Sequence, residues 1–232
     1  MNVDTLSVFF PAFNEEENIT STIEKANEVL ASLTLKNYEI IIIDDGSKDK
    51  TEEIVNNLAK KNKHIRLVSH NVNKGYGEAL KTGFREAQFP WVAFADADGQ
   101  FDFAEITKLM DETDKADYIL GYRLRRADPF VRIFFNMVWI IGARILFDFP
   151  SRDYSCGFKL IKKSAFDATL PLQAGEKVTQ IEMLVKAKKL GFKFAEVGVH
   201  HYPRIFGKST GGNLIVVFKS YIDLLKLWWK LR

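Results

Sequence analysis

Short apolar segments alternate with segments of helical periodicity through the first half of the chain, and no other feature of the sequence constrains the fold as strongly. Apolar runs occupy residues 6–10, 38–43, 64–69 and 91–95, and apolar residues recur at helical spacing after each of them. This order predicts an α/β fold with a mostly parallel central sheet, right-handed crossovers and helices on both faces. The run at 64–69 is the least apolar, so we expect it near an edge of the sheet.

The residues after the first strand indicate where the first helix begins. Asn14 is predicted as its N-cap, because an asparagine side chain can accept a hydrogen bond from the free N–H groups of a first turn. The acidic segment Glu15 to Glu17 then matches the positive end of the helix dipole. Residues 150–158 are interpreted as a loop. Helices are also expected at 103–112, 133–147, 178–190 and 214–231, and strands at 117–122 and 192–200.

Two acidic groups come directly after predicted strands. Asp44-Asp45-Gly46-Ser47 follows the second strand, and Asp96-Ala97-Asp98-Gly99-Gln100 follows the fourth. Each group alone also fits a turn or a helix cap, which favour the same residue types. The carboxyl ends of parallel strands meet at one edge of the sheet, so we expect the two groups along one rim. Carboxylates placed in this way suit ribose hydroxyls or a base, and Mg²⁺ or Mn²⁺ on a diphosphate, so the pattern indicates a nucleotide site.

Composition excludes several other classes of protein. The formal net charge of the 232 residues is only +3, and the sequence has no run of lysine and arginine of the kind that binds nucleic-acid phosphates. The single cysteine, Cys156, cannot form an intrachain disulfide or a cysteine-based zinc cluster, which fits a reducing compartment. We expect no secretory signal, because no basic segment followed by an apolar core opens the chain.

Several motifs, taken in order, resemble those of glycosyltransferase family 2. They are Pro11-Ala12-Phe13-Asn14-Glu15, Asp44-Asp45-Gly46-Ser47, the segment Asn73 to Ala79, and Asp96-Ala97-Asp98-Gly99-Gln100. Each motif alone is weak, whereas the ordered set is specific. The loop Asp153 to Phe158 and the spacing of Arg204, Gly207, Lys208 and Ser209 are similar to the polyprenyl-phosphate branch of this family.

The resemblance implies a GT-A fold, which is a Rossmann-like α/β architecture, and an enzyme of glycan biosynthesis. The implied reaction is inverting transfer of a hexose from a UDP- or GDP-sugar to a polyprenyl phosphate, with Mg²⁺ or Mn²⁺ as cofactor. The expected catalytic domain covers 1–212 and includes a membrane-facing helix at about 129–148, and 213–232 would form a C-terminal amphipathic helix. Transfer to a soluble glycan or protein hydroxyl, and a non-catalytic nucleotide-sugar-binding scaffold, stay open as alternatives.

The resemblance also assigns residues to roles. The expected metal ligands are Asp96, Asp98 and Gln100. The expected acceptor-phosphate residues are Arg123, Arg126, Arg132 and Ser209, and the expected catalytic residues are Asp98, Asp153 and Arg204. The nucleotide-sugar pocket would be lined by Pro11, Ala12, Asn14, Glu15, Asp44, Asp45, Lys74, Asp96, Ala97, Arg204 and Lys208.

Asp153 has two possible roles in this scheme. The family comparison offers it as a general base, which a hydroxyl acceptor usually needs. A phosphate monoester has a second pKa of about 6, so it is already largely anionic at neutral pH and needs positioning more than deprotonation. Asp153 could therefore orient the acceptor or an arginine instead. His200 and His201 are expected to support a loop, because neighbouring residues on a strand face opposite ways.

The last helix has the pattern of a helix that lies in a membrane surface. A polar stripe with three lysines alternates with a broad apolar face that includes Trp228 and Trp229. The segment Ile133 to Ala143 is apolar but well short of the roughly 20 residues that span a bilayer. We therefore expect a cytoplasmic protein that associates peripherally with a membrane, with or without a separate integral membrane partner. The stripe consists of Lys219, Asp223, Lys226 and Lys230.

Overall fold

A single sheet forms the centre of the protein. The computed structural model describes residues 3–124, 130–207 and 214–232, with side chains described outside 130–136 and 214–219. The strands are β1 (Thr5–Ala12), β2 (Asn37–Asp44), β3 (Ile65–Ser69), β4 (Trp91–Ala95), β5 (Tyr118–Arg123), β6 (Phe158–Lys162) and β7 (Phe194–Val199). The helices are α1 (Ile19–Ser32), α2 (Thr51–Lys61), α3 (Tyr76–Glu86), α4 (Ile106–Met110), α5 (Phe130–Phe147), α6 (Lys163–Asp167), α7 (Val178–Lys189) and α8 (Leu214–Leu231).

The order of the strands is β3-β2-β1-β4-β6-β5-β7. Neighbouring strands are parallel except at β6, which runs antiparallel to both β4 and β5. The predicted mostly parallel α/β sheet is therefore confirmed, and β3 lies at an edge as expected. β6 is absent from the predicted strands, because Lys159 interrupts its short apolar pattern.

Both faces of the sheet are covered by helices. Phe9 of β1 packs on one side in a cluster with residues of α3 and α7, and Val8 and Phe10 pack on the other side with residues of α1, α2 and α4. Successive strand residues point to opposite faces, so both sides of β1, β2 and β4 are mostly apolar. With both faces buried, the ends of the strands are left for polar side chains and ligands.

Two predicted helix boundaries are wrong. α1 begins at Ile19 with Asn18 at the N-cap position, so Asn14 does not cap it. Asn14 instead has a φ of 56°, in the left-handed region that asparagine tolerates, and its side-chain oxygen accepts a hydrogen bond from the backbone N–H of Lys48 at 2.8 Å. The helix expected at 103–112 is a 3-10 helix at Phe103–Glu105 followed by the short α4.

The helices α5 and α8 pack against each other beside α7. The rings of Trp139 in α5 and Tyr221 in α8 meet edge to face, with their centroids 5.5 Å apart. Within the part of the chain that the structure describes, no helix is long and apolar enough to cross a membrane.

Candidate active site

The loops that follow β1 and β2 are fastened to each other at the carboxyl edge of the sheet. The backbone N–H of Asn14 donates to Ser47 Oγ at 2.8 Å, and that of Glu15 donates to Thr51 Oγ1 at 2.9 Å. The motifs that begin at Pro11 and Asp44 therefore lie side by side at this end of the sheet. Pro11 and Ala12, also predicted for the nucleotide pocket, are the last two residues of β1.

Asp45 holds the loop between β3 and α3. Its Oδ1 accepts the backbone N–H of Lys74 at 2.9 Å and lies 2.7 Å from His70 Nδ1, and its Oδ2 accepts the N–H of Gly75 at 2.8 Å. The other ring nitrogen of His70 lies 3.0 Å from Thr82 Oγ1. Gly75 has a φ of 91°, which glycine adopts without strain. Asp45 thus acts on this rim by placing Lys74, whose side chain is exposed.

Asp44 has one carboxylate oxygen in use and one available. Its Oδ1 accepts hydrogen bonds from the backbone N–H of Ser47, at 3.1 Å, and from the Ser47 hydroxyl. Its Oδ2 is buried and has no hydrogen-bond partner among the described residues. Burial raises the pKa of Asp44. A buried acceptor without a partner is costly, so this oxygen is suited to an N–H or O–H group of a ligand.

Arg204 joins the first and fourth strand ends. Its Nη2 lies 2.5 Å from Glu15 Oε1, its Nη1 lies 3.7 Å from Asp98 Oδ2, and its Nε donates to the carbonyl oxygen of Phe206 at 2.6 Å. The second oxygen of Glu15 accepts from Asn18 Nδ2 at 2.8 Å. Burial raises the pKa of Glu15, against the opposing effects of Asn18 and Arg204. A guanidinium group therefore stands directly beside the predicted metal ligand Asp98.

The segment that carries Arg204 is anchored to the loop after β4. Gln100 forms two hydrogen bonds with Tyr202, from its side-chain Nε2 to the Tyr202 carbonyl and from the Tyr202 N–H to its own carbonyl, both at 2.8 Å. His200 Nδ1 lies 2.7 Å from Glu105 Oε1, and the His200 N–H donates to the other oxygen of Glu105 at 2.7 Å. His200 thus supports this segment.

Asp96 and Asp98 form the acidic end of β4. Burial, followed by the charge of Asp98, raises the pKa of Asp96 to about 7, while Tyr76, Arg123 and Lys159 act in the opposite direction. Tyr76 donates its hydroxyl proton to Asp96 Oδ1 at 3.0 Å. The environment therefore places two carboxylates close together at an energetic cost that a bound cation would reduce.

The residues at this edge fit a divalent ion that binds together with phosphates. The described residues contain no group of three or more His, Cys, Asp or Glu side chains suited to a metal. Mg²⁺ and related ions commonly reach a protein through one or two carboxylates, with substrate phosphates completing the shell. Asp96 and Asp98 match that donor set. The amide nitrogen of Gln100 is engaged with Tyr202, and a role for Gln100 as a third ligand stays a prediction.

Arg123 and Asp153 form a buried ion pair at the end of β5. Arg123 Nε donates to Asp153 Oδ2 at 2.7 Å, and Arg123 Nη2 donates to Asp153 Oδ1 at 2.9 Å. The side chains are only 9% and 6% exposed. Charge-assisted bidentate bonds of this kind are strong and fix the geometry of both side chains, and the role of Asp153 as an orienting group or a base stays a prediction. Arg126, Lys208 and Ser209 lie outside the described residues, and so does the side chain of Arg132.

Three residues near Asp96 and Asp98, which together form the acidic edge of the site, were not among the predicted site residues. Tyr76 donates to Asp96, Gln180 of α7 donates to Tyr76, and Lys159 of β6 donates to Gln180. Tyr76 lies inside a recognised motif and could have been found there. Gln180 and Lys159 carry no local signal, because only the pairing of β6 with β4 and the packing of α7 bring them to this place.

A family of known enzymes matches most of the chain. Residues 7–170 match the family described as Glycosyl transferase family 2. The chain therefore belongs to this family of glycosyltransferases, as its motifs predict.

Similar proteins indicate the branch of the family to which the chain is related. It is 31% identical, over 98% of its length, to the dolichyl-phosphate beta-glucosyltransferase ALG5A of Trichomonas vaginalis, of which it covers 76%. It is 30% identical, over 96% of its length, to the undecaprenyl-phosphate 4-deoxy-4-formamido-L-arabinose transferase of Photorhabdus laumondii, of which it covers 67%. It is 29% identical to the glycosyltransferase AglD of Haloferax volcanii over 97% of its own length but only 37% of that protein. These relatives confirm the resemblance to the polyprenyl-phosphate branch.

A solved structure confirms the fold. The glucosyl-3-phosphoglycerate synthase of Mycobacterium tuberculosis, in complex with Mn²⁺, UDP and glucosyl-3-phosphoglycerate, matches with a TM-score of 0.75 over 97% of this chain and 80% of that one. The two sequences are 20% identical. The likeness therefore concerns the α/β architecture of the GT-A type.

Proposed function

We propose that this chain is an inverting, metal-dependent hexosyltransferase, with a UDP- or GDP-sugar as donor and a polyprenyl phosphate as acceptor, at the cytoplasmic face of a membrane. The observation that carries the proposal is the acidic pair Asp96 and Asp98 at the carboxyl edge of the sheet, with the guanidinium of Arg204 3.7 Å from Asp98. The names of the relatives from Trichomonas vaginalis and Photorhabdus laumondii support the class of acceptor.

The proposed donor site lies between the loops after β1, β2 and β4. Asp44 would accept a hydrogen bond from the nucleoside through its free Oδ2, and Asp45 would keep Lys74 at the rim. Asp96 and Asp98 would hold Mg²⁺ or Mn²⁺ on the diphosphate, with Gln100 as a further candidate ligand. The remaining pocket residues of the proposal are Pro11, Ala12, Asn14, Glu15, Ala97, Arg204 and Lys208.

The proposed chemistry needs stabilisation of the leaving group more than a base. When bound, the divalent ion would neutralise negative charge that develops on the departing nucleoside diphosphate. Arg204 would add a second positive group from the protein side, in a partly buried place where its charge is weakly screened. Asp98 would serve this step by binding the ion, and Asp153 by keeping Arg123 directed at the acceptor phosphate, which brings its own negative charge. Arg126, Arg132 and Ser209 are further candidates for that phosphate.

The outer faces of α5 and α8 support contact with a membrane. On α5, Met137, Ile141 and Ile145 are exposed, the last by 77%; on α8, Leu225 and Trp229 are exposed, the latter by 73%. Lys226 and Lys230 follow these residues on α8 and are exposed as well. An apolar face bordered by tryptophan and lysine is typical of helices in the interfacial plane of a bilayer. The lipid acceptor would then reach Arg123 from that surface.

Binding of the donor can be tested without knowledge of the acceptor. Nucleotide sugars are screened by thermal unfolding with and without Mn²⁺, because a ligand that binds only the folded state raises its stability. We expect a UDP- or GDP-sugar to raise the unfolding temperature only when Mn²⁺ is present. A set of common donors that leaves the unfolding temperature unchanged, with or without the ion, would contradict the proposal.

Membrane contact gives a separate prediction. Ile145→Glu combined with Trp229→Glu is expected to lower partitioning onto vesicles that contain phosphatidylglycerol by at least about tenfold, because each change removes an apolar side chain from the interface. Sedimentation with vesicles measures the bound fraction. Leu170→Glu, a change of the same kind at an exposed side chain outside α5 and α8, should bind like the wild type. A wild-type protein that stays in the supernatant would instead favour transfer to a soluble acceptor.

A further inference from the structure

A buried lysine lies behind the acidic edge, and the proposed function leaves it without a role. Lys159 is on β6, where it pairs with Phe94 of β4 and Leu120 of β5, and its side chain is fully buried. Moving an ammonium group out of water is costly unless hydrogen bonds compensate for the lost hydration. An apolar residue would fill this place in the sheet at a lower desolvation cost, so the presence of a charged residue indicates a specific role.

The ammonium group of Lys159 has an acceptor for each of its three N–H bonds. Nζ donates to the carbonyl oxygen of Tyr154 at 3.3 Å, to that of Cys156, and to Gln180 Oε1 at 2.5 Å. It also lies 5.6 Å from the centre of the Phe94 ring. An ammonium group has three donors and no acceptor, so these surroundings match the charged form of the side chain.

This cation determines the orientation of the Gln180 amide. A lysine ammonium can only donate, so the amide must turn its oxygen toward Lys159. The amide nitrogen then points to the hydroxyl of Tyr76, to which it donates at 3.3 Å. Gln180 is 2% exposed, so water does not compete for either end of the amide.

The orientation of Gln180 in turn determines what Tyr76 can do. Because the Tyr76 oxygen accepts from Gln180, its own proton is directed to Asp96 Oδ1, 3.0 Å away. The other oxygen of Asp96 lies against Gly157, where an added Cβ would be 2.1 Å from Asp96 Oδ2. One directional chain of donors therefore runs from β6 through α7 and α3 to the first carboxylate of the acidic edge.

We propose that Gln180, whose amide is oriented by Lys159, is a positioning residue for Asp96 and acts on it through Tyr76. The inference rests on the proposed function, because it assigns the purpose of the chain to binding of a divalent ion by Asp96. Partners that orient metal-binding side chains commonly change metal affinity or activity about 10- to 100-fold when they are replaced. The carbonyl oxygens that Lys159 binds belong to the loop between Asp153 and β6, so replacement of Lys159 itself would also disturb that loop.

Gln180→Glu separates orientation from folding. A carboxylate at this position still accepts from Lys159 and pairs its charge, but it cannot donate to Tyr76. The Tyr76 proton can then turn away from Asp96. The added negative charge alone would strengthen attraction of a cation, so weaker Mn²⁺ binding would have to come from lost orientation. Gln88→Glu is the matched control. Gln88 is exposed and lies next to Ser7 and Glu39, near the beginnings of β1 and β2 and therefore at the other ends of the strands from Asp96.

The measurements are Mn²⁺ affinity in the presence of UDP or GDP, by electron paramagnetic resonance of the free ion, and the unfolding temperature without ligands. Gln180→Glu is expected to weaken Mn²⁺ binding by about 10- to 100-fold without a lower unfolding temperature, and Gln88→Glu to change neither. Tyr76→Phe should weaken binding to a similar extent, and the double variant no further than either single one.

Two results would overturn the inference while leaving the proposed function intact. One is a Gln180→Glu protein that binds Mn²⁺ as tightly as the wild type. The other is a loss of binding that occurs only together with a loss of stability, which would mean that Gln180 has a structural role alone. If the wild type itself binds no Mn²⁺ with either nucleotide, the proposed function and the inference fail together.

Discussion

Asp98→Asn is expected to lower the rate of hexose transfer by about a thousandfold. The change keeps the size of the side chain and an oxygen that can accept the Gln100 N–H at 3.1 Å, but it removes the negative charge beside Arg204. A metal ion and pre-organised charges at a leaving group each contribute several kcal/mol to catalysis, so losing the ion should cost about 10² to 10³ in rate or more. The measurement is kcat/KM for transfer, together with Mn²⁺ affinity.

A matched control for this prediction lies a few residues further on. Asp102 accepts the Ala104 N–H at 3.0 Å, caps the 3-10 helix and is exposed. Asp102→Asn makes the same chemical change in the same loop and should leave transfer within about twofold of the wild type, since exposed substitutions away from a site have small effects. Equal losses in both variants, or full activity of Asp98→Asn at low Mn²⁺, would contradict a metal site at Asp98.

Asp153→Ala is expected to lower the free energy of unfolding by about 3 to 5 kcal/mol, because it leaves the guanidinium of Arg123 buried without its bidentate partner. Replacement of both partners by apolar residues, as in Arg123→Met with Asp153→Leu, should recover much of that stability, because neither charge of the pair is left without its partner. Urea unfolding measures both effects. A stability of Asp153→Ala within about 0.5 kcal/mol of the wild type would show that the pair is not structurally important.

Variants of the same ion pair also distinguish the two possible roles of Asp153. If Asp153 orients Arg123, Asp153→Asn should raise the KM for polyprenyl phosphate while the KM for the donor and the shape of the pH–rate profile stay unchanged. The double variant should recover stability but not affinity for the acceptor. A loss confined to kcat, accompanied by loss of the acidic limb of the pH–rate profile, would identify Asp153 as a general base instead.

The architecture of the site follows from patterns that are local in sequence. Apolar runs separated by helical periodicity determine the parallel part of the sheet, and the strand-end rule then brings Asp44 and Asp96 to one edge. The turn at Gly75 also depends on a local feature of the sequence, because its φ of 91° favours glycine.

What could not be predicted depends on contacts between distant segments. β6 contains a lysine, a residue type that ordinarily marks a solvent-exposed position, and the carbonyl oxygens before β6, Gln180 of α7 and the Phe94 ring make its burial tolerable. Asparagine is a common N-cap residue, yet hydrogen bonds with the loop after β2 hold Asn14 in the left-handed region. The pairing of Arg123 with Asp153 joins residues 30 positions apart and likewise has no local signal.

The most direct test of the proposed function is the formation of a glycosylated lipid. The protein is incubated with Mn²⁺, a short polyprenyl phosphate and radiolabelled UDP- or GDP-sugars, and the organic phase is extracted. We expect label in the organic phase with one of these donors, dependent on both Mn²⁺ and the lipid, and absent with Asp98→Asn. Label that stays in the aqueous phase with every donor, in a protein that is folded and binds the nucleotide, would contradict transfer to a polyprenyl phosphate.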